Sequence, residues 1–314
     1  MRPAYSVILF TTLSGAGYGL MTALGLMLLV GAKPAAPLSA LAVGILLATV
    51  GLLASTFHLG RRGRAWRAFS QWRTSWLSRE AVAALATYAA ATALAWLIAT
   101  GSTAGLAVRR AAAVTAAISV LTVFCTAMIY ASLRPVRQWR HWTVPMAYLL
   151  FAIASGSLVL AAIERAAGNS ATRLGWAALA SLALAWTVRE LNWRTVHGTP
   201  DTLTPADATG LGRFGRVRLL DAPNTEANYL LREFGFRVAR RHASRLRHLA
   251  RLLGLAIPTA MTLLAIGLAA SHLVTPLLSS AAALSALAGI LIERWLFFAE
   301  AKHTVTLYYG AASV

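Results

Sequence analysis

The sequence has one cysteine, two lysines (Lys33 and Lys302) and only 10 acidic residues among 314 positions. The lone cysteine, Cys125, lies in an apolar run. It excludes an internal disulfide and any cysteine-ligated cluster within the chain. Charged residues are 12% of the total, against about 25% in a soluble globular domain. Phosphate-binding and dinucleotide-binding glycine motifs are absent, which excludes the nucleotide chemistry they carry. No His-x-x-x-His spacing offers a metal site, and no Ser-His-Asp set lies within the apolar runs. A b-type haem needs two histidines facing each other at one depth. The seven histidines, His58, His141, His197, His242, His248, His272 and His303, give no such pair.

Apolar length is present in quantity. Hydrophobic residues make up 58% of the chain. A membrane-crossing helix needs roughly 20 mostly apolar residues. Eight segments meet that length: 5–31, 38–59, 79–100, 107–131, 142–164, 173–193, 250–271 and 274–299. The expected fold is all-α, a single integral membrane domain over 1–314 with eight transmembrane helices. The first run is too long for a cleaved signal, so insertion rather than export is expected. All eight segments are dense in small residues, which let helices approach closely in lipid. The run Ser14-Gly15-Ala16-Gly17-Tyr18-Gly19 serves either such packing or a groove for a flat ligand.

The net charge is +19, and arginine supplies nearly all of it. Loops two, four and six and both termini together carry 22 of the basic residues, counting Arg251 with loop six, against five on the opposite side. Without long loop six the ratio is still 11 to five. The positive-inside rule then expects both termini in the cytoplasm. The cytoplasmic loop 194–249 begins loop-like and ends in a basic amphipathic stretch, Thr225 to Arg251. That stretch suits either a membrane surface or a docked partner.

Ionisable groups at membrane helix ends are candidate functional residues. The segment from Ser55 to Glu80 concentrates them. His58 closes the second apolar run and Glu80 opens the third, so a hairpin sets both at one membrane boundary. Histidine exchanges protons near neutral pH and can serve a carbonyl oxygen. A nearby carboxylate can orient its ring or relay protons. Gly60 and Gly63 allow close backbone approach. The plain alternative is an interfacial histidine and a helix-opening glutamate favoured by the helix dipole. Glu293, Arg294 and Glu300 read as a charge network at a helix end.

The pieces Thr56-Phe57-His58-Leu59-Gly60, Arg64-Ala65, Arg67-Ala68-Phe69 and Leu77-Ser78-Arg79-Glu80 resemble the membrane-anchor subunit family of dimethyl sulfoxide reductase-type molybdoenzymes. The stretch 228–236, Asn-Tyr-Leu-Leu-Arg-Glu-Phe-Gly-Phe, is similar to that family's last long loop. The opening Pro3 to Leu13 is similar to the branch that anchors cytoplasmic sulfite dehydrogenases. The resemblance implies a haem-free quinone-binding anchor in a bacterial inner membrane, binding ubiquinone or menaquinone. Its partners would be an iron–sulfur subunit and a molybdenum catalytic subunit, which hold the clusters and the molybdenum cofactor. Carried over by position, His58 would contact the quinone oxygen, Gly60 and Arg64 would shape the pocket, and Glu80 would support it. The family often has a proline between the positions of Gly60 and Arg64, and this chain has none there. Arg61, Arg62 and Arg67, with Arg237, Arg240 and Arg241, are the expected docking cations. Nucleic acid is not an expected partner. The leading expectation is electron transfer between the iron–sulfur subunit and the quinone pool during sulfite oxidation, the chain itself being a non-catalytic subunit. The alternatives are a dimethyl sulfoxide reductase-type anchor oxidising quinol, a purely structural anchor, and a secondary transporter. The transporter needs a charged site at broken mid-membrane helices.

Overall fold

The computed structural model describes residues 4–57, 61–101, 105–197, 203–218, 220–221, 238–268 and 273–309. The described residues are mainly helical, with no strand among them. In chain order the helices are α1 (Tyr5–Leu29), α2 (Pro37–Thr56), α3 (Trp76–Ala99), α4 (Leu106–Ala131), α5 (Thr143–Ala166), α6 (Thr172–His197), α7 (Pro205–Thr209), α8 (Val238–Arg251), α9 (Ile257–Gly267) and α10 (Val274–Ala299). A π-helical turn, Leu252–Ala256, joins α8 to α9. Most of these helices begin and end within a few residues of an apolar run, but the seventh run, expected over 250–271, falls in a helical stretch that starts at Val238 and passes through the π turn. Pro37 opens α2 at a first-turn position, where its missing N–H has no helical partner to lose.

Seven of the spans are long and apolar enough to cross a membrane. α6 has the length but carries Arg189, Glu190 and Arg194 in its last third, which separates it from the other seven. The stretch expected as loop at the start of 194–249 contains α7, capped by Thr204 and Asp207. The Thr204 N–H donates to Asp207 Oδ2 at 2.8 Å, and these hydrogen bonds hold the Asp207 carboxyl below the usual range. Of the basic stretch from Thr225 to Arg251, only the part from Val238 falls among the described residues.

α1 is the most buried of the spanning helices and packs on α2, α4 and α5. Its glycines explain how. A methyl added at Gly17 would sit 2.5 Å from the Gly44 carbonyl oxygen of α2. One added at Gly19 would land on the Ala152 carbonyl of α5. In lipid, association rests on such close packing rather than on apolar area removed from water. Gly19→Ala is therefore expected to prevent stable folding, read as loss of a monodisperse size-exclusion peak, whereas Gly15→Ala is not. The Gly15 methyl would meet only Ala152 Cβ, at 4.0 Å.

At one end of the bundle, Gly168 takes a left-handed turn (φ 86) and closes α5. There the fully buried Glu164 carboxylate accepts the Ala35 and Ala36 N–H groups at 2.8 and 3.3 Å and Asn169 Nδ2 at 2.8 Å, tying the α1–α2 connection to α5. At the other end, the segment after α10 closes on the α4–α5 loop and on α7. Thr304 N–H donates to the Pro135 carbonyl at 3.0 Å, and Tyr308 donates to the Ala208 carbonyl at 2.7 Å.

The π turn has a chemical cause. Pro258 has no N–H to give the Gly254 carbonyl four residues earlier. The Trp186 indole N–H of α6 donates to that carbonyl instead, at 2.8 Å. Gly254 also lies against Gly289 of α10 so closely that neither position has space for a side chain.

Candidate functional site

The corner between α2 and α3 begins at Phe57, which is exposed. His58 and Gly60 lie outside the described residues. Arg62–Phe69 then forms a 3-10 helix, too polar to sink into the bundle. Arg61, Arg64 and Arg67 are exposed on this corner, as are Trp66 and Trp72. The Arg67 and Arg73 guanidiniums lie over the Trp66 and Trp72 rings at 5.7 and 5.6 Å. Tryptophan beside arginine is the composition of a membrane–water boundary. The backbone of Arg62 belongs to the 3-10 helix. Arg240 and Arg241 are in the first turn of α8, and Arg237 lies outside the described residues.

The chain re-enters the bundle through Arg79. Its Nε and Nη2 donate to the Trp72 and Arg73 carbonyls at 3.0 and 2.6 Å, and its guanidinium covers Trp76 at 4.3 Å. This clamp fixes the corner to the first turns of α3. One residue on, Glu80 turns inward and is 4% exposed. It is the structure's clearest candidate for chemistry in this region. A carboxyl group buried in a membrane bundle is costly unless it is paired. Its partner is Thr126 near the end of α4, with Oγ1 2.5 Å from Glu80 Oε1.

Thr126 has one hydroxyl hydrogen and two contacts. Its Oγ1 is also 3.0 Å from the Thr122 carbonyl. With Glu80 protonated, the carboxyl donates to Thr126, which donates to Thr122. With Glu80 ionised, Thr126 turns its hydrogen to the carboxylate. The pair thus holds or releases one proton with its heavy atoms in place.

Thr126 was not singled out in the sequence, although a signal exists. Thr115, Ser119, Thr122 and Thr126 recur at helical spacing on α4, and all are buried. This hydroxyl stripe faces Thr87 and Glu80 of α3, with Thr87 and Thr122 hydroxyls 3.0 Å apart.

A second buried polar group joins α6 and α10. Arg189 Nε lies 2.7 Å from Glu293 Oε1, and Arg294 Nη1 lies 3.4 Å from Glu293 Oε2. The Arg294 guanidinium sits on the Tyr148 ring at 3.5 Å. The polar contacts continue outward. Arg189 donates to Asn192 at 2.8 Å, Asn192 to Thr143 Oγ1 at 2.6 Å, and Thr143 Oγ1 is 2.7 Å from His141 Nδ1. The Thr143 N–H also approaches Nδ1, at 3.4 Å, so this nitrogen accepts and the ring proton belongs on Nε2. Burial holds the His141 imidazole below the usual histidine range, in keeping with a neutral acceptor. Glu300 closes the network at the helix end, accepting from Arg247 Nη2 at 2.7 Å. The helix-end network read from Glu293, Arg294 and Glu300 is therefore present, but its centre is Arg189 of α6.

Two comparisons bear on this arrangement. The family model described as DMSO reductase anchor subunit (DmsC) matches residues 1–310. A subunit of the sulfite dehydrogenase of Allochromatium vinosum is 36% identical to this chain over 335 aligned positions that cover both proteins completely. Both likenesses span the chain almost end to end rather than one motif. The chain belongs to the DMSO reductase anchor subunit family.

Proposed function

We propose that this chain is the haem-free, quinone-binding membrane anchor of a molybdoenzyme complex that oxidises sulfite. Electrons reach it from an iron–sulfur subunit and leave in membrane quinol. The observation that carries this reading is the end-to-end likeness to a subunit of a sulfite dehydrogenase. In this reading all eight long helical spans cross a bacterial inner membrane as one domain, and α6 is tolerated because Arg189 is paired inside the bundle.

A bound quinone supplies two-electron, two-proton chemistry. The chain's own residues fit that need. His58, following α2, meets the carbonyl oxygen. Gly60 and Arg64 shape the pocket wall. Glu80, inside the bundle and bonded to Thr126, holds a proton one helical turn into α3. Arg61, Arg62 and Arg67, with Arg237, Arg240 and Arg241, face acidic groups of the iron–sulfur subunit, beyond which lies the molybdenum subunit. Ubiquinone and menaquinone share the carbonyl chemistry this site requires.

The charge distribution separates sulfite oxidation from the second reading, quinol oxidation by a dimethyl sulfoxide reductase-type complex acting outside the membrane. The basic excess supports a cytoplasmic placement of the His58 corner and both termini. A C-terminal alkaline phosphatase fusion is expected to be inactive and a green fluorescent protein fusion bright, since these report opposite faces. The reverse pattern would favour the external reductase. Purification of the intact complex is expected to bring two further subunits, with iron and molybdenum by metal analysis. A chain that purifies alone and moves a solute across vesicles would instead be a transporter.

A further inference from the structure

The bundle contains a small cavity that the quinone reading leaves unused. It lies where α1, α4, α5 and α10 meet, and Thr12, Gly15, Tyr18, Thr126, Tyr148 and Arg294 are among its walls. Its free space is about 10 Å³ for the centre of a water molecule. That is the volume one water needs and far too little for an aromatic ring. The flat-ligand groove expected at the glycine run is therefore not formed.

Four buried polar groups in these walls have no hydrogen-bond partner among the described residues: Thr12 Oγ1, Tyr18 OH, Tyr148 OH and Arg294 Nε. Tyr18 is 1% exposed and the other three residues 2–3%. Leaving a buried polar group unsatisfied is costly, so four on residues that line one space call for a common partner. Water matches their count. It accepts two hydrogen bonds, one from Arg294 Nε–H and one from a hydroxyl, and donates two, to the remaining hydroxyl oxygens. Gly15 supplies independent support. Unlike Gly17 and Gly19, it is not held small by a neighbouring backbone, and its missing side chain leaves the cavity wall open.

We propose that this cavity is a built water-binding site in the core of the bundle.

Synchrotron hydroxyl-radical footprinting of the full chain in nanodiscs tests this site, because bound water generates radicals beside otherwise inaccessible side chains. Tyr18 and Tyr148 are expected to label several-fold faster than Trp186, which is similarly buried and bonded to protein. Gly15→Val is expected to remove the excess while the chain stays monodisperse. Tyrosine labelling no faster than Trp186, or unchanged in Gly15→Val, would overturn the site.

Discussion

His58→Ala is expected to lower quinone-linked turnover of the assembled complex by about 100-fold or more, the low end of what a positioned acid–base group contributes. Transfer from the catalytic subunit to a soluble dye acceptor is expected to remain, because the dye bypasses the membrane site. The argument begins with what quinone reduction demands. Each carbonyl oxygen that gains electrons must also gain a proton, and a membrane interior offers no bulk water to give it. A histidine at the boundary, titrating near neutral pH, can meet both the oxygen and the aqueous side. Glu80 cannot take its place. It is buried against Thr126, and Arg79 clamps the corner in front of it. Full quinone-linked turnover in His58→Ala, with all subunits present by gel, would leave this chain a structural anchor only.

The helices were legible because an apolar run of about 20 residues admits few other structures. The chain turns at Pro37 and Gly168, where the sequence places its breaks. Glu80 stood out for a similar reason, since charge is scarce in the apolar runs, whereas His58 lies outside the described residues. What sequence could not supply was pairing across helices. Glu80 and Thr126 are 46 positions apart, and nothing in a linear pattern selects Thr126 from the other hydroxyls of α4. Glu293 looked like an end-of-helix residue because Arg294 and Glu300 are its neighbours in sequence. Its nearest partner, Arg189, lies on α6. The π turn was equally hidden. Pro258 announces a lost hydrogen bond, but only the fold shows Trp186 donating to Gly254 instead. The glycine run divides by position. Gly17 and Gly19 serve helix contact, whereas Gly15 borders the small cavity.

Glu293→Leu is expected to be the most destabilising single change within the α6–α10 charge cluster. Glu293 is the one anion within an Arg189–Glu293–Arg294 cluster whose three side chains are at most 4% exposed. Removing it leaves two guanidiniums facing each other, with only Glu300, already paired to Arg247, to offset Arg189. Breaking a buried pair by deleting one partner costs about 3–5 kcal/mol. The aromatic rings do not offset this. Tyr148 lies under Arg294 at 3.5 Å and Trp193 is 4.8 Å from Arg189, but a cation–π contact contributes only about 2 kcal/mol when desolvated and is present before and after the change. Arg189→Leu should be milder, because Glu293 keeps Arg294 at 3.4 Å. The triple change Arg189→Leu, Glu293→Leu and Arg294→Leu should recover most of the loss, since no unpaired charge then remains inside and apolar replacement of a buried ion cluster is often neutral or stabilising. Thermal-shift size exclusion of the full chain in detergent reads all three variants. A Glu293→Leu chain melting with the unaltered protein, or a triple variant no better than Glu293→Leu, would show that the cluster is not held by this charge pairing. The order single glutamate, single arginine, triple is specific to charge compensation, because a pure packing role would make the triple variant the worst of the three.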